Sequence, residues 1–205
     1  MTKTPKPYHH GDLRTAFLSA AEAILETEGI QALSVRAAAR VVGVSHTALQ
    51  NHFGDLTGLL SELAADGYRR FADALTVSMA EAGEDAKARN RAMGRAYVSF
   101  AKAHAGLFTL MFRGERLDFT RPALREGADA ARHALQSAIG ARAHQPLSPQ
   151  DAIARATASW SLIHGFAVLM LDGRLRWMIQ ALGEGSDENS LLDAVFAQVE
   201  IGSEG

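Results

Sequence analysis

The 205-residue chain contains no cysteine. That absence excludes disulfides, thiolate metal sites and a cysteine nucleophile, and it fits a reducing, cytoplasmic setting. No apolar run approaches the ~20 residues needed to cross a bilayer. The longest candidate, Trp160 to Leu171, is interrupted by His164 and Gly165. Residues 1–7 are polar, carry two lysines and have no apolar stretch, so they do not read as a secretory leader. An excess of positive charge is missing too. The formal net charge is −2, and through Leu60 the bases Lys3, Lys6, Arg14, Arg36 and Arg40 are cancelled by the acids Asp12, Glu22, Glu26, Glu28 and Asp55. Any electrostatic attraction to nucleic acid must therefore come from local clustering: the N-terminal arm, Arg36, Arg40, and the imidazoles of His46 and His52. Glu22, Glu26 and Glu28 lie late in the first helical segment and can face away from such a surface. No segment alternates with the two-residue period of a strand, and there is no internal repeat or low-complexity tract.

What is present is helical periodicity. Apolar residues make up 47% of the chain, enough for a substantial core. Leu13, Phe17, Ala20 and Ile24 recur at three- and four-residue steps, predicting a first helix from an Asp12 cap to Glu28, stopped by Gly29. A long helix is expected over about 56–82, burying Leu56, Leu60, Leu63, Phe71, Leu75 and Met79. A fifth covers about 86–103, with Met93, Ala96, Tyr97 and Phe100 inward. Leu107 to Phe112 reads as a short apolar turn and Arg113 to Pro122 as a polar loop. A helix over about 122–139 follows, ending near Gly140. After a proline-marked connection, Ser148-Pro149-Gln150-Asp151 supplies a serine cap, proline at the first position and an early acid. It starts a helix predicted to run to about Leu182. The last helix covers about 188–200, with Leu191, Leu192, Val195, Phe196 and Val199 on its apolar side. The fold class is all-α: a small three-helix head over 1–55 and a larger helical bundle over 56–205.

The most informative stretch is Ser34 to Phe53. Ser34 and Ser45 can each accept a bond from an orphan amide of a helix's first turn. Gly43 sits where the chain must turn sharply, and Ala39 is small enough for close approach. Val44, Leu49 and Phe53 point inward at helical spacing. Two short helices joined by such a turn make a helix-turn-helix, whose second helix enters a DNA major groove. His46, Thr47, Gln50 and Asn51 lie at the start and on the outer face of that second helix. Gln50 and Asn51 can pair bidentately with adenine N6 and N7, and the Thr47 methyl can pack on a thymine methyl. The same residues would equally serve as an ordinary solvated helix face.

The first sixty residues resemble the tetracycline-repressor (TetR) family of transcriptional regulators. The resemblance rests on Tyr8-His-His-Gly-Asp-Leu-Arg14, Glu28-Gly29 with Leu33-Ser34, Gly43-Val44-Ser45 and His52-Phe53. Further along, Trp160-Ser-Leu-Ile-His164-Gly165 is similar to a Trp-x-x-x-His-Gly signature in the regulatory domain of one branch. The resemblance implies phosphate contacts from Arg36 and His52, and a DNA-contacting set of Arg36, Ser45, His46, Thr47, Gln50, Asn51 and His52. Three positions depart from the family pattern. Gln50 stands where the family has tyrosine, Asn51 where it often has arginine or lysine, and Leu56 where a phosphate-binding lysine opens the fourth helix. Losing one cationic phosphate contact should flatten the salt dependence of binding by about one counterion.

Trp160 and His164 lie four residues apart, on one helical face. They either line an effector cavity or form a satisfied core pair. Phe100, His104, Phe108, Met111, Phe112 and Phe119 could wall an apolar pocket or simply fill the core. The last two long helices are the dimer surface that the resemblance implies; Ala152, Ala154, Ala156 and Ala158 permit close helix approach, although those helices could instead cover their own subunit's core. His9 and His10 are adjacent on an arm and lack a nearby third ligand, so no metal is expected, and no cofactor. No ordered nucleophile–base set or phosphate loop suggests an enzyme. The chain thus reads as a ligand-responsive DNA-binding regulator, a repressor released by a small apolar or amphipathic effector. Its expected partners are a palindromic double-stranded operator and a second copy of itself. The competing reading is a helical small-molecule-binding protein that has lost DNA recognition, motivated by Leu56, Gln50 and the neutral head.

Overall fold

In the computed structural model, residues 10–114, 116–140 and 148–201 are described. Among them ten helices are found and no strand. The arm with His9 and the connection over 141–147 lie outside the described residues, as do the side chains of His10 and Asp12, and with them the expected Asp12 cap. Helices α1 (His10–Glu28), α2 (Val35–Val42), α3 (His46–Phe53), α4 (Leu56–Glu81) and α5 (Ala86–Ala103) follow the apolar periodicity closely. Next come α6 (Ala105–Arg113), α7 (Pro122–Gly140), α8 (Pro149–Leu171), α9 (Arg176–Ala181) and α10 (Glu188–Ile201). No helix among the described residues is long and apolar enough to cross a membrane.

The chain forms two compact units, with boundaries inside α4, after the first residue of α6 and inside α7. The first comprises the residues up to Tyr68 together with Gly106–Gly127. Phe17, Ala21 and Leu25 from α1, Leu49 and Phe53 from α3, and Leu59, Leu60 and Leu63 from α4 form its interior. The apolar segment after Gly106, expected as a turn, is instead part of α6. Its helical form has a cause far away in sequence: the Glu26 carboxylate accepts bonds from Gly106 N (2.9 Å) and Leu107 N (2.8 Å). A side chain from α1 thereby satisfies the open amides of a helix start with negative charge. Burial of Leu107, Phe108, Leu110 and Met111 supports the helix from its other side. The Tyr68 hydroxyl donates to Met111 O at 2.6 Å, and its burial pushes the phenol up to about 12.

The second unit comprises Arg69–Ala105 and the chain from Ala128 onward. There α5 packs on α8 and α10. Gly94 makes the second contact possible, because a Cβ there would lie 2.5 Å from the Phe196 ring. Ser148 caps α8 as its sequence predicts, accepting from Asp151 N at 3.1 Å. The predicted single helix to Leu182 is two helices. Gly173 takes φ 71°, and Gly173 N and Arg174 N bond back to Met170 O and Leu169 O, closing α8 in the left-handed manner that glycine permits. Leu175 is buried beyond the break, and α9 restarts at Arg176.

Candidate nucleic-acid interface

The reading head is built from local bonds. Ser34 Oγ accepts from Ala37 N (3.1 Å), starting α2, and Ser45 Oγ accepts from Ala48 N (3.4 Å), starting α3. Between them Gly43 adopts φ 78°, and Gly43 N and Val44 N both bond to Ala39 O. Ala38, Ala39, Leu49 and Phe53 are buried, so the two short helices are pinned by one apolar seam. That seam fixes which way the polar residues point. Ser45, His46, Thr47, Gln50 and Asn51 are all exposed along α3, and Arg36 and Arg40 are exposed on α2. His52 differs: it is half-buried, with its ring 6.3 Å from Phe17 and tilted against it. The structure therefore places six of the seven expected DNA-contacting residues outward and sets the seventh partly against the core. Leu56 is half-buried at the start of α4. Val41 is exposed on α2, an apolar side chain that the sequence reading passed over.

A second cluster lies in the other unit. The Tyr97 hydroxyl and His164 Nδ1 are 2.8 Å apart, and Trp160 Nε1 donates to the same hydroxyl at 3.3 Å. A phenol oxygen that accepts from Trp160 can donate its own proton to Nδ1, which leaves the imidazole proton on Nε2. The two motif residues of α8 thus meet on one hydroxyl from α5. Tyr97 is fully buried, edge-on to Phe71 at 4.9 Å, whereas Trp160 is 43% exposed. Sequence reasoning placed Tyr97 in the core but missed its polar role. The available signal was a pair of ring N–H carriers four apart on α8, facing a helix whose apolar stripe contains one phenol. His104 sits beside Arg70, with Arg70 Nη2 3.2 Å from Nδ1, and its ring lies 4.9 Å from Phe100.

The remaining members of the expected pocket set belong to the first unit. The rings of Phe108 and Phe112 are tilted against each other with centroids 4.7 Å apart, Phe112 meets Tyr68 edge-on, and Met111 lies over Gly67, where a Cβ would come within 2.8 Å of its sulfur. Phe119 is exposed in the loop before α7.

Residues 90–188 match the tetracyclin repressor-like, C-terminal domain family. A protein of unknown function from Rhodococcus sp. RHA1 is similar in structure over 93% of this chain and 95% of its own, with 35% identity and a TM-score of 0.77. A protein from Shewanella sp. PV-4, assigned as a TetR family transcription regulator, is 22% identical over 89% and 95% of the two chains, with a TM-score of 0.60. The TetR family transcriptional regulator PfmR from Thermus thermophilus is 21% identical over 86% and 93%, with a TM-score of 0.54. No curated protein matches the chain significantly. The class is that of all-helical proteins with an N-terminal helix-turn-helix head and a C-terminal helical domain. Residues 90–188 thus carry a tetracyclin repressor-like C-terminal domain, and the chain shares its fold with TetR family regulators.

Proposed function

We propose that this protein is a one-component transcriptional repressor, released from its operator by a small apolar or amphipathic effector. The observation that carries the reading is the outer face of α3: His46, Thr47, Gln50 and Asn51 are exposed together on a short helix whose other side buries Leu49 and Phe53. A helix held this way can enter a major groove, with Gln50 and Asn51 reading adenine edges and Arg36, Ser45 and His52 holding backbone phosphate. Two copies related by a two-fold axis would present two such helices to palindromic half-sites ~34–36 Å apart. The dimer is formed by the last two long helices, α8 and α10. In support, α8 leaves Ile153 (68% exposed), Trp160 and Leu169 on its surface, α9 adds Trp177 (65%) and Met178, and Leu182 follows just beyond it. Large apolar side chains exposed on successive helices are the kind of surface that a second copy would cover.

The effector reading centres on Trp160 and His164, with Phe100 and His104 as its further neighbours in the same unit. Trp160, His164 and Gly165 are taken as the mark of one branch of the family. A ligand that competes for the Tyr97 hydroxyl would rearrange the contact between α5 and α8. A coupling of ~1–3 kcal/mol would change operator affinity ~5–150-fold.

Fluorescence anisotropy on tiled fragments of the gene's own upstream DNA, supplemented by genome-wide selection of bound fragments, tests the DNA reading. Tight binding to one palindromic fragment, lost in Gln50→Ala, is the expected result. Uniform weak binding to every fragment would leave the bundle as a small-molecule-binding protein alone.

A further inference from the structure

We propose that Arg121 is a positioning residue for the recognition helix, holding the C-terminal end of α3 from the loop between α6 and α7. The inference rests on the DNA-binding reading of α3. It is carried by a set of contacts within the first unit, none of which involves the outer face of α3.

Arg121 Nη2 donates to Phe53 O at 3.3 Å. Phe53 is the last residue of α3, so its carbonyl lies at the negative end of that helix, where a guanidinium is favourably placed. The approach requires Gly58 on α4: a Cβ there would overlap Phe53 O and lie 2.7 Å from Arg121 Nη2. Phe53 is held on its ring side as well. Arg14 Cζ stands 5.4 Å over the ring, and Phe17 meets it edge-on at 6.0 Å. Glu62 joins the two arginines, at 2.5 Å from Arg14 Nη2 and 4.0 Å from Arg121 Nη1.

The loop that carries Arg121 is itself fixed. Asp118 N donates to the buried Ser61 Oγ at 2.9 Å, and Thr120 N and Oγ1 donate to Asp118 Oδ1 at 3.0 and 2.6 Å. Asp118 Oδ2 lies 3.6 Å from Arg121 Nε. The bonds from Thr120, with help from the Arg121 charge, hold the Asp118 carboxyl below its ordinary range. A loop ordered by Ser61, Asp118 and Thr120 therefore delivers one cation to the end of the reading helix. The clamp acts through the backbone of α3 and not through its side chains, so it sets the angle at which Gln50 and Asn51 are offered. Displacement of the loop would change that angle even with α4 unmoved.

The test uses the full chain with Arg121→Met, which keeps most of the stem and removes the charge, and Arg121→Lys, which restores a donor. Three quantities are read: affinity for the selected operator, the slope of that affinity with salt, and amide exchange of Gln50–Gly54 in the absence of DNA. Arg121→Met should weaken operator binding about tenfold. The salt slope should stay unchanged, exchange at the end of α3 should quicken while α8 amides keep their protection, and Arg121→Lys should recover part of the loss. A salt slope reduced by about one would instead make Arg121 a direct phosphate contact and overturn the proposal. Unchanged exchange at the end of α3 would overturn it whether or not DNA binds. Failure of the unmodified chain to select any operator would sink the DNA reading, with the role of Arg121 still decided by the exchange measurement.

Discussion

The reading hairpin and the Tyr97 cluster are both polar groups displayed on a helical scaffold, but they are assembled in opposite ways. In the hairpin the polar groups come from one short stretch, and the caps that orient them bond three residues away. In the cluster, the Tyr97 hydroxyl is joined to His164 and Trp160 across 67 and 63 positions of sequence. Apart from the half-buried His52, the hairpin turns its polar groups to water and buries only alanine, leucine and phenylalanine. The cluster turns polar groups toward one another around a buried phenol. The first arrangement leaves His46, Thr47, Gln50 and Asn51 exposed and available for a partner. The second makes the same atoms serve the packing of α5 on α8, so a ligand there would have to compete with the protein itself. Substitution should therefore separate the two regions: changes in the hairpin reduce binding at constant stability, whereas changes around the cluster reduce stability first.

The largest expected effect is in the cluster's own unit. Phe196 lies over Gly94 and is almost wholly buried, pinning α10 to α5. Phe196→Ala should lower the unfolding free energy by about 3–5 kcal/mol, read from chemical denaturation. A loss under about 1 kcal/mol would mean that α10 contributes little to the unit. Next in size is the hairpin. Gln50→Ala and Asn51→Ala should each lose about 1–3 kcal/mol of discrimination between operator and random DNA. Their denaturation midpoints should match the parent's, because both residues are exposed. A shifted midpoint would show that the outer face of α3 has a structural role and would erase the contrast.

Tyr97→Phe sharpens the contrast from inside the cluster. It removes the oxygen that accepts from Trp160 and the bond to His164, while the ring still packs against Phe71. Losing a buried hydrogen-bonding partner costs about 1–3 kcal/mol, and the lower part of that range applies because Trp160 can turn to water. If the phenol also contacts an effector, the variant should lose effector response by more than its stability change explains. Isothermal titration alongside denaturation would separate the two.

How much of this was legible in the sequence follows the same division. Ser34, Gly43, Ser45 and Ser148 mark helix ends through bonds made within a few residues, and those ends fall where they are expected. Elements whose cause is remote were misread. The apolar segment at 107–112 looks like a turn because the carboxylate that starts α6 belongs to Glu26, 80 positions earlier. The break between α8 and α9 was hidden because Asp172-Gly173 sits inside an otherwise apolar pattern, and a helix can tolerate one glycine at a modest cost. The phosphate contact expected of His52 comes from its place in a motif, and its half-burial is a separate matter. Its contact with Phe17 depends on how α1 crosses α3, which no spacing within the motif reports. For the same reason Tyr97 was assigned to the core without its hydroxyl. Burial can be inferred from periodicity, but a polar partner on another helix cannot.

The smallest effect tests whether α10 is held by charge as well as by Phe196. Glu188 near the start of α10 is paired with Lys102 of α5, and that hydrogen bond, helped by the helix-start amide, holds its carboxyl below the ordinary 4.5. Asp187 beside it is lowered by bonds from Ser190. A depressed carboxyl stabilises the folded chain at every pH above its unfolded value, and that contribution disappears as pH falls through the folded value. Glu188→Gln should therefore lower the denaturation midpoint slightly at neutral pH, by less than Tyr97→Phe does, since the Lys102 side chain is solvated and its pairing is screened. The difference from the parent should shrink to nothing in acid below the folded value and should narrow with added salt. A difference that persists unchanged at low pH would mean that Glu188 acts through packing or its own helix start. In that case the charge link between α5 and α10 would be the pair of Arg95 and Asp193, 2.5 Å apart, beside the buried Phe196 and Leu192.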